Sequence, residues 1–258
     1  MISKYQVNIV YFQEDTEMTR EELERIHFEK SAQLKQLEEN SGKDTNYIKL
    51  LSEIAFIELE LDSFEEAESK FFTCLAFFKK QLDRLGQASV LGTLGTLYYK
   101  QEKYEKSIDY YEKALKIYDD LNQQNEQIIC LKAIGHCSIK LNQFEKARDI
   151  LLDCSSICSD NDDLYNLLDC LGELIHIHES LKEWDVVLEL YLKTLEAFEQ
   201  LKDNKGLIIT NFNLGILQKR NGNYEEALRC FKVGTNIAIE ANYAELIIKG
   251  LGYVGEIL

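Results

Sequence analysis

Apolar positions along this chain recur at steps of three and four, and the whole pattern repeats every 40 residues. One series runs Phe64, Ala67, Phe71, Cys74. It recurs as Tyr104, Ser107, Tyr111, Ala114, then Phe144, Ala147, Leu151, Cys154, then Trp184, Val187, Tyr191, Thr194, and last Tyr224, Ala227, Phe231, Gly234. Steps of three and four trace one face of an α-helix. Large and small side chains alternate on that face, so a neighbouring helix can approach at the small positions while the large ones fill the space beside it. A second series, Ala55, Gly95, Gly135, Ile175, Gly215 and Gly255, keeps the same period, and each member follows a large aliphatic residue (Ile54, Leu94, Ile134, Leu174, Leu214, Val254). Each 40-residue unit therefore predicts two helices. A single hairpin of this kind cannot bury its apolar face alone, which is why the unit is repeated.

Helix boundaries follow from the same rows. Ser63 with Glu66, and Asn223 with Glu226, have the spacing of capping boxes opening the second helix of a repeat. With no proline and no Gly- or Ser-rich linker, the chain predicts helix throughout. Residues 1–44 are expected to be an N-terminal arm and capping helix, the charged amphipathic stretch 19–40 forming the cap and the weak alternation of 2–12 a strand or arm. Residues 45–258 then hold five full repeats and a sixth first helix. Ile247, Leu251, Val254 and Leu258 of that last helix are apolar with no successor to cover them. Two expectations follow: a longer parent chain, or a homodimer through the C-terminal helix.

Composition narrows the function. The 258 residues are 45% hydrophobic, enough to fill a core, and carry a net charge of −16, which repels phosphate backbones and anionic headgroups. Neither nucleic acid nor a membrane is an expected partner. The start of the chain shows no secretory leader, and no apolar run reaches the length of a membrane span. Cys74, Cys137, Cys154 and Cys158 stand in apolar packing slots, Cys130 and Cys170 are equivalent in adjacent repeats with no bridge expected between them, and an odd total of seven without an expected leader fits reduced thiols in a cytoplasmic protein. No phosphate loop, dinucleotide fingerprint or nucleophile elbow is present, and Glu65 and Glu66 sit at a helix start, where they complement the dipole. The chain is not expected to be an enzyme, and no metal or cofactor is expected.

The segment LGTLY (Leu94–Tyr98), followed by the aromatic, Ala and aromatic columns, resembles the tetratricopeptide repeat. The resemblance covers roughly residues 45 to 258. A period of 40 rather than the family's usual ~34 residues, and the missing proline, make it most similar to the longer-helix variety of Pins-type scaffolds, kinesin light chains and bacterial peptide-pheromone receptors. Asn211–Leu228, NFNLGILQKRNGNYEEAL, matches that variety best. What the resemblance implies is an all-α, right-handed solenoid of antiparallel helix pairs, whose first helices line a concave groove that holds a peptide or protein segment.

With Ile54, Ala55 and their equivalents turned to the partner helix, helical geometry sends the adjacent stripe to that groove. The stripe reads Ser52, Phe56, Leu59; Gly92, Thr96, Tyr99; Lys132, His136, Ile139; Gly172, His176, Glu179; and Phe212, Ile216, Lys219. The candidate peptide-binding residues are Phe56, Gly92, Thr96, Tyr99, Lys132, His136, Gly172, His176, Phe212 and Lys219. Gly92, Gly172 and Gly252 recur at alternate repeats inside helices, where glycine costs about 1 kcal/mol; close approach by a ligand backbone, contact with a neighbouring helix, or mere drift are the alternatives. Lys100, Lys132, Lys140, Lys219 and Arg220 beside the stripe suggest a ligand carrying acidic groups, although cations near helix C-termini also complement the dipole. The family's two-carboxylate clamp for chaperone tails is not expected, because Thr96, His136 and His176 stand where its asparagines would be. The expected function is a non-catalytic scaffold binding a peptide or protein segment; a peptide-sensing regulatory module and a self-assembling structural protein are the alternatives.

Overall fold

The computed structural model describes residues 18–41 and 44–257, which form an all-α repeat solenoid of antiparallel helix pairs. The helices are α1 (Arg20–Ser41), α2 (Thr45–Glu60), α3 (Phe64–Lys80), α4 (Arg84–Lys100), α5 (Tyr104–Asp120), α6 (Gln124–Lys140), α7 (Phe144–Asp160), α8 (Leu164–Leu181), α9 (Trp184–Leu201), α10 (Asn204–Arg220), α11 (Tyr224–Glu240) and α12 (Ala244–Gly255). Every aromatic of the column Phe64, Tyr104, Phe144, Trp184 and Tyr224 is the first residue of a second helix, as the periodicity predicts. The arm expected over residues 2–12 lies outside the described residues, as does Leu258.

The helices form two compact units, Met1–Gln143 and Phe144–Leu258. In the first, α1 to α6 pack in sequence order, each on the next; in the second, α7 to α12 do the same. The small columns carry this packing. Ala67, Ser107, Ala147, Val187 and Ala227 are fully buried, and Phe71, Tyr111, Leu151 and Phe231 nearly so. The helix-opening aromatics are less buried than their column predicts: Tyr224 is exposed and the other four are half-buried, because the first residue of a helix faces the turn as well as the neighbour.

Turns repeat at half the sequence period. Asp62, Leu82, Glu102, Asn122, Asn142, Asp162, Lys182, Lys202, Gly222 and Asn242, spaced 20 residues apart, all adopt positive φ. At each helix end the residue after this one donates its N–H to a carbonyl five residues back, as in Ser63 N to Glu58 O (2.8 Å) and Asn223 N to Gln218 O (2.9 Å). This is the Schellman closure. It explains why the expected capping boxes do not form. The N–H of Ser63 and of Asn223, which the N3 glutamate would accept from, is already donated backwards, and neither side chain makes a cap hydrogen bond. Side-chain caps occur on first helices instead. Asp44, Asp83, Asp163 and Asp203 accept from Tyr47 N (2.9 Å), Gly86 N (3.0 Å), Asn166 N (3.2 Å) and Gly206 N (3.1 Å).

Two glycines of the column have a steric reason, while a Cβ on Gly255 would meet nothing within 4 Å. A Cβ on Gly95 would come within 2.8 Å of the Tyr111 ring, and one on Gly215 within 2.5 Å of the Phe231 ring. In the second unit, Ile208, Phe212, Ala227, Phe231 and Ala238 form a core that Ile247, Tyr253 and Val254 of α12 cover. Two of the four apolar positions expected to lie bare on the last helix are therefore packed inside the chain. Ile248 and Leu251 carry the exposed apolar surface there.

Candidate functional site

The candidate site is the stripe that each first helix leaves open. In the first unit, α4 buries most of its surface but leaves Leu85, Ser89, Gly92, Thr96 and Tyr99 half-open at steps of four, three, four and three. At the equivalent positions of α6, Asn125 and Ile129 are exposed and Lys132, His136 and Ile139 are half-open. Thr96 Oγ1 is held 2.8 Å from Tyr111 Oη, and the Tyr99 ring meets Tyr104 edge-on with centroids 5.6 Å apart. These contacts fix side chains at the rim of the stripe. On α2 only Phe56 of the expected stripe is half-open. Ser52 and Leu59 are buried, the latter completely. Their helix carries α1, joined to it by Lys30–Glu53 (2.6 Å) and His27–Glu58 (3.0 Å) ion pairs.

In the second unit, α8 exposes Tyr165, Asp169, Gly172, His176 and Glu179 on one stripe. Glu179 accepts a hydrogen bond from Tyr191 Oη at 3.3 Å, and burial followed by this carboxylate pushes the phenol up to about 12. On α10 the open stripe reads Lys205, Ile209, Asn213, Ile216 and Lys219. Phe212 does not belong to it, a correction to the sequence expectation. Its ring is only 2% exposed, because glycine at 234 and 250 leaves gaps that draw it inward. A Cβ at Gly234 would lie 2.7 Å from the ring, and one at Gly250 2.8 Å from it. Ile209 and Ile216 are 43% and 44% exposed, so the outward apolar character of α10 comes from them. Ile129, Tyr165, Ile209 and Asn213 were missing from the expected site. Continuing the three-four rhythm one turn towards each helix start would have found Ile129 and Ile209.

The glycines of the stripe are open. Nothing lies within 4 Å of a Cβ built on Gly92, Gly172 or Gly252. A neighbouring helix pressing on them, one of the three readings, is thus not the cause. The cations are another correction. Lys100 Nζ pairs with Glu60 at 2.8 Å, Lys219 Nζ pairs with Glu256 at 2.8 Å, and the Arg220 guanidinium covers the Trp184 ring at 4.0 Å. Three of the five charges expected to attract an acidic ligand are already engaged within the chain. His176 is exposed, while His178 is buried with Nδ1 2.5 Å from Glu183 Oε2, in keeping with two residues on opposite sides of one helix.

Away from the stripe, α7 and α8 bring Cys154, Cys158 and Cys170 together, all buried, with their sulfur atoms within 4.8 Å of one another. The sequence places Cys154 and Cys158 in packing slots and relates Cys170 only to Cys130, so it does not predict this group. Among the described residues, no helix is long and apolar enough to cross a membrane.

Comparison with known proteins bears on this arrangement. The tetratricopeptide repeat profile matches residues 46–120 and 163–240, more than half of the chain. Among curated proteins, the chain is similar to "Tetratricopeptide repeat protein 21A" of Mus musculus, 30% identical over 108 residues, covering 41% of this chain and 8% of that protein. It is also similar to "Uncharacterized protein ycf37" of Guillardia theta, 36% identical over 96 residues, covering 36% of this chain and 49% of that protein. The chain spans less than half the length of these curated relatives. Among solved structures, BtubC (BKLC) from P. vanneervenii superposes with a TM-score of 0.66 at 20% identity, over 85% of this chain and 92% of that one. The apo form of RapI gives 0.61 at 19% identity, over 81% and 83%. A Rap protein complexed with Competence and Sporulation Factor gives 0.50 at 17% identity, over 96% and 77%. Identities this low establish a shared fold.

Proposed function

The chain belongs to the tetratricopeptide repeat family, and on that footing we propose that it is a non-catalytic scaffold that binds extended peptide or protein segments along the open stripes of the first helices of each unit, α4 and α6 in one and α8 and α10 in the other. One observation carries this reading. The same steps of four and three stay open on α4, α6 and α8, and α10 departs from them only in opening Asn213 in place of the buried Phe212. Gly92 and Gly172 add room for a ligand backbone on that surface. The complex of a structurally similar Rap protein with Competence and Sporulation Factor lends the peptide class support. Ile209 and Ile216, with Lys219 paired to Glu256, favour a ligand presenting apolar side chains over one recognised by its carboxylates. In this reading α1 is the cap that closes the first repeat, and the protein acts in the cytoplasm.

A random-peptide library panned on the wild-type protein tests it. Peptides bound by the first unit should lose about tenfold or more in affinity, roughly 1.4 kcal/mol, on Thr96→Arg, and those bound by the second on Ile209→Arg with Ile216→Arg. They should bind Lys113→Ala, on the exposed face of a second helix, unchanged. Peptides that bind the stripe variants as tightly as the wild type would overturn the assignment.

A homodimer through α12 is the second reading, favoured by Ile248 and Leu251, which are 73% and 57% exposed. Sedimentation should then give a dimer that Leu251→Glu converts to monomer; a wild-type monomer at all concentrations removes this reading.

A further inference from the structure

We propose that Cys154, Cys158 and Cys170 form a three-sulfur site for a trivalent thiophilic element of the arsenic(III) class. Cys154 and Cys158 are four residues apart, on one face of α7, and Cys170 reaches them from α8, so three sulfurs converge within 4.8 Å. All three side chains are completely buried. Comparison among the repeats shows how unusual the place is. Cys158 occupies the slot of Phe78, Tyr118 and Phe198, with Ala238 in the last repeat. In two of the other repeats that slot is filled by a ring pressed on a glycine: a Cβ on Gly86 would lie 2.5 Å from Phe78, and one on Gly206 2.3 Å from Phe198. Here the ring is replaced by a thiol and the glycine by Asn166, whose amide turns away to Asp163 Oδ2 at 2.7 Å. A small, sulfur-lined position thus stands where the repeat usually places a ring.

Charge selects the occupant. A monovalent or divalent soft ion held by three thiolates leaves net negative charge in a buried apolar place, which is costly. Arsenous acid leaves none. Each of its three As–OH groups exchanges with one S–H; an As–S bond forms as the As–O bond breaks, and the thiol proton leaves with the hydroxide as water. Nothing is oxidised or reduced, and the tris-thiolate product is neutral. Cys158 lies in the last turn of α7, close to the turn before α8, so fraying of that helix end gives entry.

Titration of the reduced protein with arsenite, read by native mass spectrometry, tests the site. The expected result is a single adduct of one arsenic less three hydrogens, with three of the seven thiols protected on rapid unfolding. Affinity should stay flat between about pH 6 and 8, because the exchange releases no net proton, unlike metal-cation binding. Cys158→Ala and Cys170→Ala should each weaken binding by roughly tenfold or more, since the third bond is intramolecular. Cys230→Ala, a buried cysteine outside the cluster, should leave it unchanged. No adduct on the wild-type protein, an adduct that survives in both cluster variants, or tighter stoichiometric binding of Zn²⁺ or Cu⁺ with proton release would overturn the proposal.

Discussion

The backbone of Gly95 lies against the Tyr111 ring so closely that a Cβ there would come within 2.8 Å of ring carbons. Both are buried, and Tyr111 is tethered by Thr96, so the ring has little freedom to yield. Gly95→Ala is expected to destabilise the fold by about 1–3 kcal/mol through overpacking, despite the better helix propensity of alanine. Gly92 is three residues earlier on the same helix, with open space around it. Gly92→Ala should gain up to about 1 kcal/mol. Urea unfolding of the two variants checks the opposite signs, and destabilisation of both would mean that something does occupy the space beside Gly92.

Phe212 provides a direct contrast between core and stripe. Its ring fills gaps beside Gly234 and Gly250 and lies 5.4 Å from Tyr253 and 6.5 Å from Phe231, centroid to centroid. Phe212→Ala is expected to cost about 3–5 kcal/mol. Ile216→Ala, 44% exposed one turn later, should cost far less. Equal losses in denaturant unfolding would contradict this placement of Phe212.

These two residues also show how much was legible in the sequence. Period and helix starts were readable, because a packing column such as Phe71, Tyr111, Leu151, Tyr191 and Phe231 leaves the same trace in every repeat. Columns do not report local exchange between neighbours. Phe212 shares a column with the open Gly92 and Gly172, and only the glycines at 234 and 250, on other helices, turn its ring inward. Long-range pairing is equally invisible: Lys100 meets Glu60, and Lys219 meets Glu256, across separate helices. The capping boxes at Ser63 and Asn223 failed for a related reason, because the required N–H groups were already committed to the preceding helix.

Glu58 is 5% exposed on α2 and is held by His27 of α1 at 3.0 Å and Lys70 of α3 at 2.7 Å, both on Oε1; its Oε2 has no hydrogen-bond partner. Removing Lys70 leaves a buried carboxylate with one support. Lys70→Met should destabilise the first unit by about 1–3 kcal/mol, reduced from the cost of a fully buried pair because the lysine is 25% exposed. Lys70→Met with Glu58→Leu should recover much of the loss, since the stranded charge is gone. A double variant no more stable than the single one in urea would show that the cost lies in packing instead.

Alkaline pH should weaken the fold through thiols that are buried one at a time. Burial raises Cys74 and Cys130 from 9.0 to about 12. Below about pH 9 these groups are protonated in both states and their contribution is fully present. Between 9 and 12 the unfolded chain gives up the protons while the folded one keeps them, so stability falls as pH rises. Each thiol contributes a slope of up to about 1.4 kcal/mol per pH unit. Cys74→Ala and Cys130→Ala should lower stability near neutral pH through lost packing, yet lose less than the wild type between about pH 8 and 10. Denaturant unfolding at those two pH values separates the terms: parallel losses in wild type and variants would mean that these thiols do not titrate on unfolding.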